Sequence, residues 1–141
     1  MDIATVIVAA GSGSRFGGSL PKQFLMLEGK PVLCHSIDTF RGTFPEAPIV
    51  LVLSDEGRLW WDEFCRTTGY ISPVVAPGGA TRADSVLSGI AALEKTTDNT
   101  DTIVMIHDGA RPLATHRLLL SLAEAASAPG ADGAVPAAPM A

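Results

Sequence analysis

The chain has 141 residues, a net charge of −5 and only 6% aromatic residues. This length suits one domain with its own hydrophobic core. The acidic balance does not favour binding to DNA or to an anionic membrane, and so few aromatic residues do not favour stacking on single-stranded nucleic acid.

The remaining composition predicts a cytoplasmic protein. Cys34 and Cys65 have no metal-binding or CxxC spacing, which is typical of thiols in a reducing compartment. The N-terminal segment lacks the basic region of a signal peptide, and no apolar stretch is long enough to span a bilayer.

Strand and helix patterns alternate along the chain. The first strand, Ile3–Ala10, is continuously apolar and partly β-branched, like strands that are buried on both faces. The later elements are marked by apolar spacing and by capping residues. They are a helix over Pro31–Phe40, a strand over Ile49–Leu53, a helix over Leu59–Thr68, a strand over Ser72–Ala76, a helix from the Thr81–Asp84 capping box to Leu93, a strand over Thr102–His107, a helix over Thr115–Ser127 and a strand over Gly133–Ala138. This order predicts one α/β domain, residues 1–141, with an open and mostly parallel sheet flanked by helices.

Three unusual segments fall where predicted strands end. They cover residues 9–22, 77–85 and 107–112, and we call them the first, second and third segments. In open α/β sheets, ligands bind outside the carboxyl ends of the strands. Because all three segments fall at such strand ends, the sequence predicts one binding site at the carboxyl ends of the strands.

The first segment consists mainly of small residues, so its backbone N–H groups can approach a ligand closely and form an anion-binding concavity. Arg15 and Lys22 add positive charge. A glycine-rich turn with two solvated cations is an equally good interpretation of the glycines alone. The segment is a poor dinucleotide fingerprint, because Phe16 stands where a glycine is needed, and it is not a P-loop.

The other two segments also allow two interpretations each. The second begins a helix whose free N–H groups suit an anion or a polar ring edge, or it is a capped helix start with nothing bound. In the third, Asp108 suits a ribose hydroxyl or Mg²⁺ held mainly by phosphate, or it caps a turn and pairs with Arg111. His107 is predicted to be a strand residue rather than a ligand. His35 and His116 have no metal-like spacing, and the Trp60-Trp61 pair is predicted to be helix core.

Five stretches carry a family resemblance when they are taken in this order and spacing: VIVAAGSGSRFG, LPKQF, GKPVLCHSIDTF, GGATRADSVLSGI and IHDGARP. Together they resemble the 2-C-methyl-D-erythritol 4-phosphate cytidylyltransferases of the non-mevalonate isoprenoid pathway. The pentitol-phosphate cytidylyltransferases are close relatives with the same motifs and are the alternative. The resemblance implies a Rossmann-like sheet, with CTP and a polyol phosphate as substrates, Mg²⁺ as cofactor, transfer of CMP and release of pyrophosphate.

The resemblance also implies roles for individual residues. Arg15 and Lys22 would be catalytic, because they would neutralise charge that grows on the triphosphate. Arg111 would help to orient the acceptor, and Asp108 would also lie at the metal. The implied nucleotide-binding residues are Ala9, Ala10, Gly11, Ser12, Gly13, Gly79, Ser85, Asp108 and Gly109, with Gly79 and Ser85 at the cytosine edge.

Two departures from the family pattern bear on these expectations. Ala80 stands where the family often has an acid. The family also continues beyond a position equivalent to Ala141, into an Asp-Thr pair, a dimerisation arm and basic residues for the acceptor phosphate. The resemblance therefore implies a family homodimer whose acceptor-binding and dimerisation parts are missing here. The alternatives are an active enzyme with an incomplete sequence, a non-catalytic CTP-binding module and a different α/β nucleotide-binding module.

Overall fold

A four-stranded parallel sheet forms the centre of the computed structural model, which describes residues 2–11 and 20–138. The strand order is β5-β4-β1-β6, and β1 pairs with β4 on one side and with β6 on the other. The strands of this sheet are β1 (Ile3–Ala9), β4 (Ile49–Leu53), β5 (Val74–Pro77) and β6 (Ile103–Asp108). The prediction of a mostly parallel α/β sheet is confirmed.

Helices and one small hairpin surround this sheet. A 3₁₀ helix over Lys22–Phe24 precedes the antiparallel hairpin of β2 (Met26–Leu27) and β3 (Lys30–Pro31). The α-helices are α1 (Val32–Thr43), α2 (Asp55–Thr68), α3 (Arg82–Glu94) and α4 (His116–Ser127). Among the described helices, none has both the length and the apolar character needed to cross a bilayer.

The central strand β1 is buried along its whole length, and its alternate residues supply two hydrophobic cores. Ile7 and Ala9 face a core that also holds buried residues of α1, α2 and α4, including the fully buried Trp61. Val6 and Val8 face a second core that is covered by α3. The continuous apolar pattern of β1 follows from these two covered faces.

Side chains cap three of the helices, as predicted for Ser54 and Thr81. Ser54 Oγ accepts a hydrogen bond from the Gly57 N–H at 3.0 Å, so α2 begins at Asp55, four residues before the predicted start at Leu59. Thr81 and Thr115 cap α3 and α4 in the same way, each at 3.1 Å. The first turn of α2 was missed because it is mostly polar and carries no apolar spacing.

The predicted strand over Gly133–Ala138 is wrong, since these residues belong to no strand or helix. Val135 is the only large apolar side chain of the segment, and it is 86% exposed. Pro136 cannot donate a ladder hydrogen bond. A strand here would therefore gain little by burial and would lose a backbone donor. Smaller differences concern β5, which begins at Val74, and α1, which runs past Phe40 to Thr43.

Candidate functional site

The three segments begin at one edge of the sheet, because β1, β5 and β6 are parallel and end there. The chain passes from β1 to β4 on one side, while β6 lies on the other side of β1. The strand order thus reverses between β1 and β6, and ligands of open α/β sheets bind at such switch points. The first and third segments flank this point.

The second segment packs closely on the first at Gly78 and Ala10. The Gly78 N–H donates a hydrogen bond to the Leu53 carbonyl at 2.8 Å, which holds the second segment at the end of β4. A methyl group at Gly78 would lie 2.6 Å from Cβ of Ala10. Glycine therefore allows the close approach of these two segments.

The second segment lies directly on the N-terminus of α3. The Gly79 N–H donates to Ser85 Oγ at 3.0 Å, and a Cβ atom at Gly79 would be 2.3 Å from that of Asp84. Ser85 is only 3% exposed, so its hydroxyl holds the segment in place. The cytosine contacts expected of Gly79 and Ser85 stay predictions. Ala80, where the family often has an acid, is exposed beside them.

The third segment also packs against the first. The Gly109 N–H donates to the Val8 carbonyl at 2.9 Å. A Cβ atom at Gly109 would lie 3.0 Å from that of Ala9 and 2.9 Å from Leu33 Cδ1. The second and third segments therefore both contact the first segment around the end of β1.

Asp108 makes the contacts expected of a residue that caps a turn and pairs with Arg111. Its Oδ1 accepts a hydrogen bond from the Ala110 N–H at 2.9 Å, and its Oδ2 lies 3.6 Å from Arg111 Nε. The Arg111 side chain is 81% exposed and that of Asp108 is 38% exposed. Exposed ion pairs contribute about 0–1 kcal/mol, so a ligand can redirect either group at little cost.

His107 is a strand residue that supports the third segment, as predicted. Its Nε2 lies 2.8 Å from the Arg111 carbonyl oxygen, and because a carbonyl oxygen only accepts, the ring nitrogen donates. Ser36 Oγ donates to the same oxygen at 3.2 Å. Burial lowers the pKa of His107, so the neutral ring is favoured.

Lys22 is the last residue of the first segment, begins the 3₁₀ helix and is half-buried. The adjacent Gln23 donates from Nε2 to the carbonyl oxygens of Ala9 and Gly11. Sequence reasoning missed Gln23, although it is the only glutamine of the chain and belongs to the LPKQF stretch. The predicted residues Ser12, Gly13 and Arg15 lie outside the described residues, so their roles stay predictions.

Two further observations define what surrounds the site. Within the described ranges, no group of three or more His, Cys, Asp and Glu side chains is placed to hold a metal ion. An apolar groove of about 1080 Å³ lies beside β6, bounded by α4 and residues 132–136.

Both cysteines are free thiols, as predicted, and burial raises the pKa of Cys34 to about 12.

A family model described as 2-C-methyl-D-erythritol 4-phosphate cytidylyltransferase matches residues 3–141. The chain belongs to this cytidylyltransferase family. The resemblance of the five sequence stretches is thereby confirmed.

Individual cytidylyltransferases give the same result. The chain is 40% identical to the Bacteroides thetaiotaomicron 2-C-methyl-D-erythritol 4-phosphate cytidylyltransferase over 116 residues, which cover 82% of this chain and 51% of the relative. It is 42% identical over 137 residues to a bifunctional IspD/IspF enzyme of Paracoccus denitrificans, covering 97% of this chain and 33% of that enzyme.

Solved structures of cytidylyltransferases share the fold. A 4-diphosphocytidyl-2C-methyl-D-erythritol synthase from Anaerococcus prevotii superposes with a TM-score of 0.66 and 26% identity, covering 88% of this chain and 50% of that chain. Another synthase of the same description gives a TM-score of 0.67 and 28% identity, with coverage of 88% and 54%. The Rossmann-like nucleotidyltransferase fold is therefore confirmed. The chain spans about half the length of the curated relatives it first matches.

Proposed function

We propose that the three segments bind CTP, and that the protein transfers CMP from CTP to 2-C-methyl-D-erythritol 4-phosphate with release of pyrophosphate. The observation that carries the proposal is the meeting of these segments at the switch point between β1 and β6. Family membership supports the reaction type, and the relatives' names support the acceptor.

The chemistry proposed for the site is mainly electrostatic. The acceptor oxygen attacks the α-phosphorus of CTP, and charge grows on the triphosphate as pyrophosphate leaves. Lys22 at the end of the first segment, together with Arg15, would stabilise that charge. Ala9, Ala10 and Gly11 would bring backbone close to the nucleotide, and their small side chains make this approach possible.

Mg²⁺ fits this site as an ion held mainly by phosphate. Mg²⁺ in nucleotide sites is commonly bound by one or two carboxylates together with substrate phosphates and water. The partly exposed Asp108 carboxylate would supply one protein oxygen, in keeping with the lack of a metal-binding cluster among the described residues. When bound, the ion would neutralise triphosphate charge.

The proposals for partners follow from the same residues. Arg111 would orient the acceptor, since its guanidinium is exposed at the end of the third segment. A homodimer and a cytoplasmic location are further proposals, supported by the family resemblance and, for the location, by the two free thiols. Neither nucleic acid nor a membrane is proposed as a partner, because the chain is acidic.

Nucleotide selectivity tests the proposed function. In calorimetric titrations with Mg²⁺, the 141-residue chain is expected to bind CTP more tightly than ATP, GTP or NAD. The family resemblance assigns the cytosine edge to Gly79 and Ser85, and the backbone at Gly79 packs closely on the N-terminus of α3. Equal or tighter binding of ATP would contradict the proposal, and a preference for NAD would indicate a dinucleotide-binding module.

A further inference from the structure

The buried side chain of Gln23 joins the 3₁₀ helix to the backbone that follows β1. Its Nε2 group donates to the Ala9 carbonyl oxygen at 3.0 Å and to the Gly11 carbonyl oxygen at 3.1 Å. A primary amide has two N–H donors, so both are used on this one short segment. Gln23 is 4% exposed, and it therefore fixes the carbonyl groups of Ala9 and Gly11 from a buried position.

The 3₁₀ helix gives Gln23 a rigid support. The next residue, Phe24, is 1% exposed and stacks on Trp60 with ring centroids 4.3 Å apart and an interplanar angle of 24°. A Cβ atom at Gly57 would lie 3.3 Å from the Phe24 ring, so the first turn of α2 also packs closely on it. Site residues on such supported elements are held more accurately than those on free loops.

The two hydrogen bonds also set the direction of the carbonyl groups of Ala9 and Gly11. Carbonyl oxygens carry partial negative charge and would repel phosphate oxygens, whereas N–H groups attract them. In a trans peptide the next N–H points opposite to the carbonyl. Holding the Ala9 carbonyl on Gln23 therefore turns the N–H of Ala10 away from Gln23.

We propose that Gln23 is a positioning residue for phosphate binding. It keeps the carbonyl oxygens of Ala9 and Gly11 away from the triphosphate, and it fixes the distance between this backbone and the neighbouring Lys22. The inference rests on the proposed function, because it assigns Gln23 a role in the same CTP site. Gln23 itself contacts only the protein backbone in this proposal, and it acts on the nucleotide through that backbone.

The test compares CTP and CMP affinities of three variants with those of the unaltered chain. Gln23→Met keeps the side-chain length but removes both donors, and Gln23→Asn keeps the amide but shortens its reach. Ser72→Ala is the matched control, since it also removes a side-chain hydrogen-bond partner. Ser72 Oγ accepts a hydrogen bond from Trp61 Nε1 at 2.8 Å, and this bond joins α2 to the segment before β5.

The Gln23 variants are expected to lose about tenfold or more in CTP affinity, because two carbonyl groups lose their partners. The loss in CMP affinity is expected to be much smaller, so the ratio of CTP to CMP affinity falls. Ser72→Ala is expected to keep the ratio of the unaltered chain. A purely structural role of Gln23 would lower both affinities together.

The outcomes separate this inference from the proposed function. If the unaltered chain prefers CTP to CMP and both Gln23 variants keep that ratio, the positioning role is wrong and the proposed function stands. If the unaltered chain binds neither nucleotide, the proposed function is wrong and the positioning role falls with it. Should Gln23→Met fail to fold, Gln23→Asn decides by the same ratio.

Discussion

Replacing Lys22 with alanine is expected to slow CMP transfer by about 10²–10³-fold, the usual cost of removing one preorganised group that stabilises transition-state charge. Lys22 is half-buried on the 3₁₀ helix next to Gln23, so its ammonium group is carried by an anchored element. Stability is expected to change much less than turnover, because Lys22 belongs to neither hydrophobic core. The measurements are pyrophosphate release from CTP with the acceptor and the melting temperature.

Lys95→Ala is the matched control for Lys22→Ala. Lys95 is an exposed lysine at the C-terminal end of α3, and α3 begins at the site, so its far end lies away from the three segments. The control is expected to leave both turnover and CTP affinity unchanged. If the 141 residues bind CTP without turning it over, the same comparison is made on CTP affinity. A melting temperature that falls together with activity in Lys22→Ala would show a structural role instead.

The largest stability effect is expected for Trp61→Ala, which should lower the free energy of unfolding by about 3–5 kcal/mol. Trp61 is fully buried in the core between the sheet and α2. Its ring lies 5.6 Å from that of Phe64 and 5.7 Å from that of Tyr70, measured between centroids. Such a loss is a large part of the free energy of unfolding of a typical domain, which is about 5–15 kcal/mol. Urea denaturation measures it.

Trp61→Phe serves as the milder control, because it keeps an aromatic ring but removes the Nε1 donor to Ser72. A smaller loss than for alanine is expected, since most of the buried apolar surface remains. A loss below about 1 kcal/mol for Trp61→Ala would contradict the burial of this side chain.

The sequence predicted the site at the level of segments. Parallel strands bring their carboxyl ends to one edge, so the segments of Ala10, Gly78 and Gly109 could be placed at one edge from the parallel arrangement alone. The structure adds that Gly78 and Gly109 allow close packing, since Cβ atoms there would lie 2.6 Å from Ala10 Cβ and 2.9 Å from Leu33 Cδ1. The approach of the first segment's small residues to a ligand stays a prediction.

The sequence did not predict which side chains hold these segments. Gln23 bonds to backbone 12 and 14 residues away, and Ser36 bonds to a carbonyl 75 residues away. Such bonds depend on the final packing of elements that are distant in the chain. The strand predicted over residues 133–138 failed for a related reason, since small apolar residues form a strand only where a neighbouring strand and a core exist to receive them.

An NMR titration of the isotope-labelled 141-residue chain with CTP and Mg²⁺ tests directly whether the three segments at one sheet edge form a single nucleotide site. We expect the largest amide shift changes to cluster at residues 9–11, 78–85 and 108–111, and we expect ATP to produce much smaller changes at the same concentration. Changes concentrated along the apolar groove beside β6, or equal changes with ATP, would contradict this expectation.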